Sequence, residues 1–218
     1  MKQYKNILQD RHDAAKKLLD IIPVQKLKEE AWKVIAVSSG GLLLGSYIKG
    51  RYSNKLDFLF SEAIMAPHNH ECEIARVSEN EEIVINEELV TSFDIKYDYI
   101  YGEARRKYEE EILSSIYRYR KGRHFSAIEG EIILLVDEGS ETGSILMSAL
   151  KTILSQKPKA VHIAVPVIPS DVLESLEAFA DNVYFLHNID DYVETQLYYK
   201  ELEPVDDETI EKLLEEHK

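Results

Sequence analysis

Apolar residues recur at Ile7, Leu8, Ala14, Ala15, Leu18, Leu19 and Ile22, a spacing that predicts one helical face over residues 4 to 22, ending at Pro23. The run KVIAV (33–37) then passes into the small-residue stretch SSGG (38–41), and helical spacing resumes from Leu42 to Tyr52. LDFLF (56–60) and EIVIN (82–86) read as the next strands. Ala104, Tyr108, Ile112, Ile116 and Tyr119 mark a helix with a heavily charged opposite face, which Gly122 is placed to close. After it come the strand EIILLV (131–136), a helix from about Gly143 and the strand VHIAVPV (161–167). A helix beginning near Ser170, the strand VYFLH (183–187) and a last helix within 205–218 complete the chain.

Strands that alternate with helices imply an α/β fold with a mainly parallel sheet and helices on both faces. No Pro- or Gly-rich linker interrupts the 218 residues, so residues 1–218 are expected to form a single domain. With 44% hydrophobic and 30% charged residues the composition is that of a folded chain. No apolar run approaches the roughly 20 residues that span a bilayer, and the N-terminal stretch is too polar for a signal peptide. No membrane partner and a cytoplasmic location are therefore expected, and Cys72, the single cysteine, permits no internal disulfide. Forty acidic residues against 26 basic ones give net charge -14, which argues against nucleic acid as a partner. An anionic ligand has to be held by local amides, a metal ion or a basic patch.

Such a place is offered by ILLVDEGSETGSILMSAL (133–150), where an apolar strand meets two carboxylates and a Gly- and Ser-containing turn before a helix. In a doubly wound sheet, ligands bind beyond the carboxyl ends of the strands, where a helix N-terminus offers unpaired amides to an anion. The amides and hydroxyls of Gly139, Ser140, Glu141, Thr142, Gly143 and Ser144 would cup a phosphate, with Gly143 allowing close backbone approach. Asp137 and Glu138 cannot hold phosphate, but they suit sugar hydroxyls or hydrated magnesium. Sugar plus phosphate points to a ribose phosphate.

ILLVDEGSETGS resembles the 5-phosphoribosyl-1-pyrophosphate (PRPP) motif of type I phosphoribosyltransferases. QDRHDAAKKL resembles that group's opening Asp-Arg helix, APHNHECEIARVSEN its Pro-Asn-x-Glu segment, VHIAVPVIP its late strand, and residues 190–214 its C-terminal end. The likeness is to a bacterial branch known as predicted phosphoribosyltransferases. It implies transfer of a phosphoribosyl group from PRPP to a nucleobase-like acceptor with magnesium present and pyrophosphate released. Asp137 and Glu138 would hold the ribose, and residues 139–144 the 5-phosphate of PRPP or a nucleoside monophosphate. The stretch Ser38, Ser39, Gly40 and Gly41 matches the pyrophosphate loop, and related enzymes commonly form homodimers. A plain strand-to-helix turn explains SSGG equally well.

The sequence departs from that pattern where charge matters. Ser39 stands where the branch carries an arginine, Ser61 and Glu62 where it carries a basic pair, Glu141 where a small residue is usual, and Ile145 where a hydroxyl is expected. Two missing leaving-group cations predict weak turnover, since one such contact is worth roughly 100-fold or more in rate. A catalytically weak protein that binds PRPP or a nucleotide as a signal is the alternative function. Arg118, Arg120, Lys121, Arg123 and His124 form a basic patch that would compensate if it faced the diphosphate, although a solvated helix end is the simpler reading.

His68, His70, Glu71 and Cys72 are all metal-ligand types, but without a second cluster they do not define a metal site, and none is assigned. Tyr198 and Tyr199 are weak candidates for a base pocket, packing being the commoner role. His162 and His187 fall in expected strands, where packing is again the simpler role, and no general base is assigned.

Overall fold

The structure is a computed structural model and describes residues 7–50 and 56–215. The parts of the expected helices at 4–6, 51–52 and 216–218 lie outside those residues. Five strands, β1 (Lys33–Ala36), β2 (Leu56–Phe58), β6 (Ile132–Val136), β7 (Ala160–Pro169) and β8 (Asn182–Ile189), form a parallel sheet in the order β2-β1-β6-β7-β8. Alternate side chains of β1 and β6 enter opposite cores, which is why these strands read as unbroken apolar runs. Val34, Ala36, Leu134 and Val136 pack with α1 (Arg11–Leu19) and α3 (Ser39–Lys49). Ile35, Ile133 and Leu135 pack with α7 (Ser144–Ser155) and α8 (Ser170–Glu177). This is the expected α/β architecture, a mainly parallel sheet with helices on both faces.

A second, antiparallel sheet of β3 (Ser61–Ala66), β4 (Asn69–Ser78) and β5 (Ile83–Ile85) was only partly foreseen, through EIVIN. Glu62, Glu71, Glu73 and Arg76 interrupt the apolar pattern of β3 and β4. Its contacts run to α7, so the hairpin overhangs the carboxyl end of the parallel sheet.

Two further short helices, α2 (Val24–Glu29) and α4 (Glu87–Ser92), precede the long helical stretch. That stretch is α5 (Tyr97–Lys107), a π turn (Tyr108–Ile112) and α6 (Leu113–Arg120). It is closed by two left-handed residues, Lys121 (φ 55°) and Gly122 (φ 79°), rather than by the glycine alone. The first helix starts later than the periodicity suggests. Asp10 caps it by accepting from the Asp13 amide, and Leu8 pairs instead with the C-terminal segment through N–H to the Tyr198 carbonyl (3.0 Å). The last helix, α9 (Asp207–Glu215), is as expected.

Candidate functional site

Ala36 and Val136 are register partners, so the chain leaves β1 and β6 side by side, and Ser38 meets Asp137. The Ser38 hydroxyl donates to Asp137 Oδ1 at 2.6 Å and accepts from the Gly41 amide at 2.9 Å. The Glu138 amide donates to the same Asp137 oxygen at 2.9 Å. Asp137 is only 2% exposed, and burial pushes its carboxyl up to about 7 against the opposing pull of the Ser38 bond.

SSGG is not a loop ahead of a helix. Ser38 is the N-cap of α3, and Ser39, Gly40 and Gly41 form its first turn. The glycines are required by neighbours: a Cβ at Gly40 would lie 2.1 Å from the Glu138 carboxylate, and one at Gly41 2.6 Å from the Val136 carbonyl. Small residues here let α3 sit against the acid pair.

Glu138 is held from two sides. Arg11 Nε donates to its carboxylate at 2.5 Å and Arg11 Nη1 to the Glu203 carbonyl at 2.8 Å. The Tyr199 hydroxyl donates to the Glu138 carbonyl at 2.6 Å. Tyr199 is buried by this contact. Tyr198 is buried against Tyr192, its hydroxyl accepting from the Val193 amide, so neither tyrosine offers a face to a base. Arg11 is a site residue that the opening-helix likeness brought into view without giving it a role. Its partner lies 127 positions away, and no local pattern marks the pairing.

Residues 139–144 form a turn onto α7. Gly143 (φ 72°) occupies the cap position, where it supplies no side-chain acceptor, and a Cβ there would meet Val172 Cγ1 at 2.6 Å. The Ser144 amide donates to the Thr142 hydroxyl at a long 3.4 Å, so the N-terminus of α7 is only weakly capped, an arrangement an anion can use. The Thr142 hydroxyl donates to Ser144 Oγ at 3.0 Å. Glu141 accepts from the Thr195 amide at 3.1 Å. Thr195 and Tyr192 lie directly over Gly139, whose Cβ would be 2.5 Å from Thr195 Cγ2. The C-terminal segment therefore straps the turn.

A cavity of about 520 Å³ joins these groups, bounded by Ser38, Asp137, Glu138, residues 139–142, Ser144 and Ile145 on one side and the β4 hairpin on the other. Among the described residues its wall carries five carboxylates, Glu71, Glu73, Asp137, Glu138 and Glu141, and a single basic residue, Arg76. Sequence reading did not single out Arg76. Its Nε and Nη2 form a fork with Glu73, both at 2.9 Å, while Nη1 reaches the Ser61 carbonyl (3.4 Å) and hydroxyl (3.3 Å).

The residues 118–124 do not reach this cavity. Arg118 pairs with Asp207 (2.7 Å) and Glu211 (2.9 Å) on α9, while Arg120 is buried against Glu79. Arg123 Nε donates to the Arg120 carbonyl. Glu62 lies on β3 away from the cavity wall, and burial, then Glu111, raise its carboxyl. His162 stacks on Trp32 at 4.3 Å and is held below its usual value by burial, as is His187. Glu71 and Cys72 face the cavity, whereas His68 lies in a separate groove beside Phe93 and Tyr99.

No family model matches the chain. Two Mycobacterium tuberculosis proteins, from strains CDC 1551 and H37Rv and each named "Putative phosphoribosyl transferase", are 24% identical to it over 180 residues. That match covers 83% of this chain, and the chain spans only 40% of the length of those relatives. Among solved structures, TT1426 from Thermus thermophilus is similar at 28% identity, covering 95% of this chain and 97% of that one with TM-score 0.76. A looser overlay, with TM-score 0.48 at 16% identity over 91% of this chain and 85% of that one, is with a hypoxanthine phosphoribosyltransferase from Staphylococcus aureus. The resemblance read from the sequence stands: the chain is similar to bacterial proteins named as putative phosphoribosyl transferases.

Proposed function

We propose that the chain binds the ribose 5-phosphate unit of PRPP or a nucleoside monophosphate, and that it transfers the phosphoribosyl group to a nucleobase-like acceptor only slowly. The observation that carries this reading is the meeting, in one cavity, of the Ser38–Asp137–Glu138 acid group with the turn of residues 139–144. Asp137 and Glu138 accept hydrogen bonds from ribose hydroxyls, and the amides and hydroxyls of residues 139–144 take the phosphate. The engaged state of the cations supports slow turnover. Arg11 is committed to Glu138 and Arg76 to Glu73 and Ser61, so neither is free to meet charge growing on departing pyrophosphate.

The family resemblance implies magnesium. The carboxylate oxygens of the cavity are donors of the hard type that suits it, yet among the described residues no three ligand-type side chains converge as a cage. Asp137 and Glu138 would be the residues to hold magnesium through its water shell. When bound, it would supply neutralisation of phosphate charge.

The test is calorimetric titration with PRPP and magnesium, followed by a pyrophosphate-release assay over a panel of bases. Binding with slow release is expected, and Ser39→Arg should accelerate release without much tighter binding. Fast release by the wild-type chain on an ordinary purine or pyrimidine would overturn the slow-turnover reading. Absence of binding heat would overturn the ribose-phosphate site itself.

A further inference from the structure

The phosphate turn has cavities on both of its sides. The first holds the acid pair. A second, of about 340 Å³, lies between β4–β5 and the α7–α8 layer, and shares Glu73, Leu89, Thr142 and Ser144 with the first. Its walls are mainly apolar, supplied by Ile74, Val84, Ile85, Met147, Val172 and Leu176. Its polar lining includes the carboxylates of Glu73 and Asp171 and no Lys or Arg among the described residues. An apolar crevice with those two acids accepts an uncharged group and repels an anionic one.

Position decides what such a group is attached to. In a ribose 5-phosphate the phosphate and C1 are at opposite ends of the sugar. With the hydroxyls on Asp137 and Glu138 and the phosphate at Thr142–Ser144, an acceptor attacking C1 belongs toward Ser38 and away from the second cavity. The second cavity instead adjoins the phosphate, on the side opposite the ribose. Charge leads to the same place. A phosphomonoester carries about two negative charges at neutral pH. Glu73 and Glu138 are neutralised by Arg76 and Arg11, so a phosphate meets the three remaining cavity carboxylates, Glu71, Asp137 and Glu141, and a diester brings one charge against them rather than two.

We infer that this site takes a ribose 5-phosphodiester: ribose in the first cavity, phosphate on the turn, and an uncharged aromatic or aliphatic ester group in the second cavity. The inference rests on the reading of residues 139–144 as the phosphate cup and extends it to the class of ligand.

The experiment compares AMP, its 5-phenyl phosphodiester and ADP by calorimetric titration into the wild-type chain, Met147→Trp and Ser175→Trp. Met147 and Ser175 line the second cavity outside the cup, and Ser175 is exposed on α8, so its replacement fills the space without touching the core. The phenyl ester should bind wild type about tenfold or more tighter than AMP, from burial of the ring. That advantage should vanish in both variants while AMP affinity is kept, and ADP, with an anionic substituent, should gain nothing over AMP. If AMP binds but the phenyl ester shows no advantage, or the advantage survives both tryptophans, the diester inference falls and the ribose-phosphate reading stands. ADP binding more tightly than the ester would likewise overturn it. If neither AMP nor the ester binds wild type, the ribose-phosphate reading falls and takes the inference with it.

Discussion

Arg11–Glu138 and Arg120–Glu79 are both low-exposure ion pairs that join residues far apart in the chain, yet they do different things. The first borders the cavity through Glu138, with side chains 10% and 20% exposed, and fixes the acid whose backbone Tyr199 also holds. The second is sealed, at 6% and 2%, beneath the Phe60 and Phe125 rings, and its carboxylate also accepts from the Phe60 amide. One pair shapes the cavity wall, and the other pins the antiparallel sheet to the end of α6. The patch at 118–124 does not line the cavity, and Arg118 and Arg120 are paired elsewhere. Arg120 is spent on architecture.

Removing the sealed cation should have the largest effect. Arg120→Ala leaves Glu79 buried without its counter-charge, a change that costs about 3–5 kcal/mol. Thermal or urea unfolding should show that loss, with ligand affinity per folded molecule unchanged. A loss below about 1 kcal/mol would remove the distinction between the two pairs.

The next effect depends on pH. Because Asp137 is protonated more readily in the folded state than when unfolded, the folded chain binds the extra proton between its ordinary value and about 7, and stability falls as pH rises across that window. Asn at this position keeps an acceptor for Ser38 and the Glu138 amide but carries no charge. Asp137→Asn should therefore gain stability over wild type at pH 8, by at most on the order of 4 kcal/mol, and lose most of that gain by pH 4. A melting-temperature difference that is flat with pH would show that burial does not govern this carboxyl.

Arg11→Ala comes third, at about 1–2 kcal/mol, because Glu138 is partly solvated and keeps some hydration when unpaired. Unlike the Arg120 variant, it should also weaken ribose 5-phosphate binding, since it leaves an uncompensated carboxylate in the cavity. Parallel unfolding and titration of the two arginine variants would expose any failure of this division.

What could be read from the sequence follows from how local each cause is. β1, β6 and β7 are buried on both faces, so their apolar runs announced them, and the acid pair and turn after β6 were marked by composition and order. The hairpin β3–β4 borders a polar cavity, and its Glu62, Glu73 and Arg76 broke the strand pattern. Ser38 looked like part of a loop because its bond to Asp137 crosses 99 positions. The basic run at 118–124 resembles a solvated helix end, and only the fold shows Glu79, just after β4, reaching Arg120 on α6. Tyr198 and Tyr199 were candidates for a base pocket until the pairing of Leu8 with the C-terminal segment buried them.

The acid pair and the turn are proposed to act as one ribose-phosphate site. Calorimetric titration of PRPP with magnesium into the wild-type chain and into the double variant Asp137→Asn, Glu138→Gln tests it most directly. Loss of charge-assisted hydrogen bonds to the ribose should weaken binding by about 1–3 kcal/mol while the variant remains folded. Equal affinity of the two folded proteins would contradict the assignment.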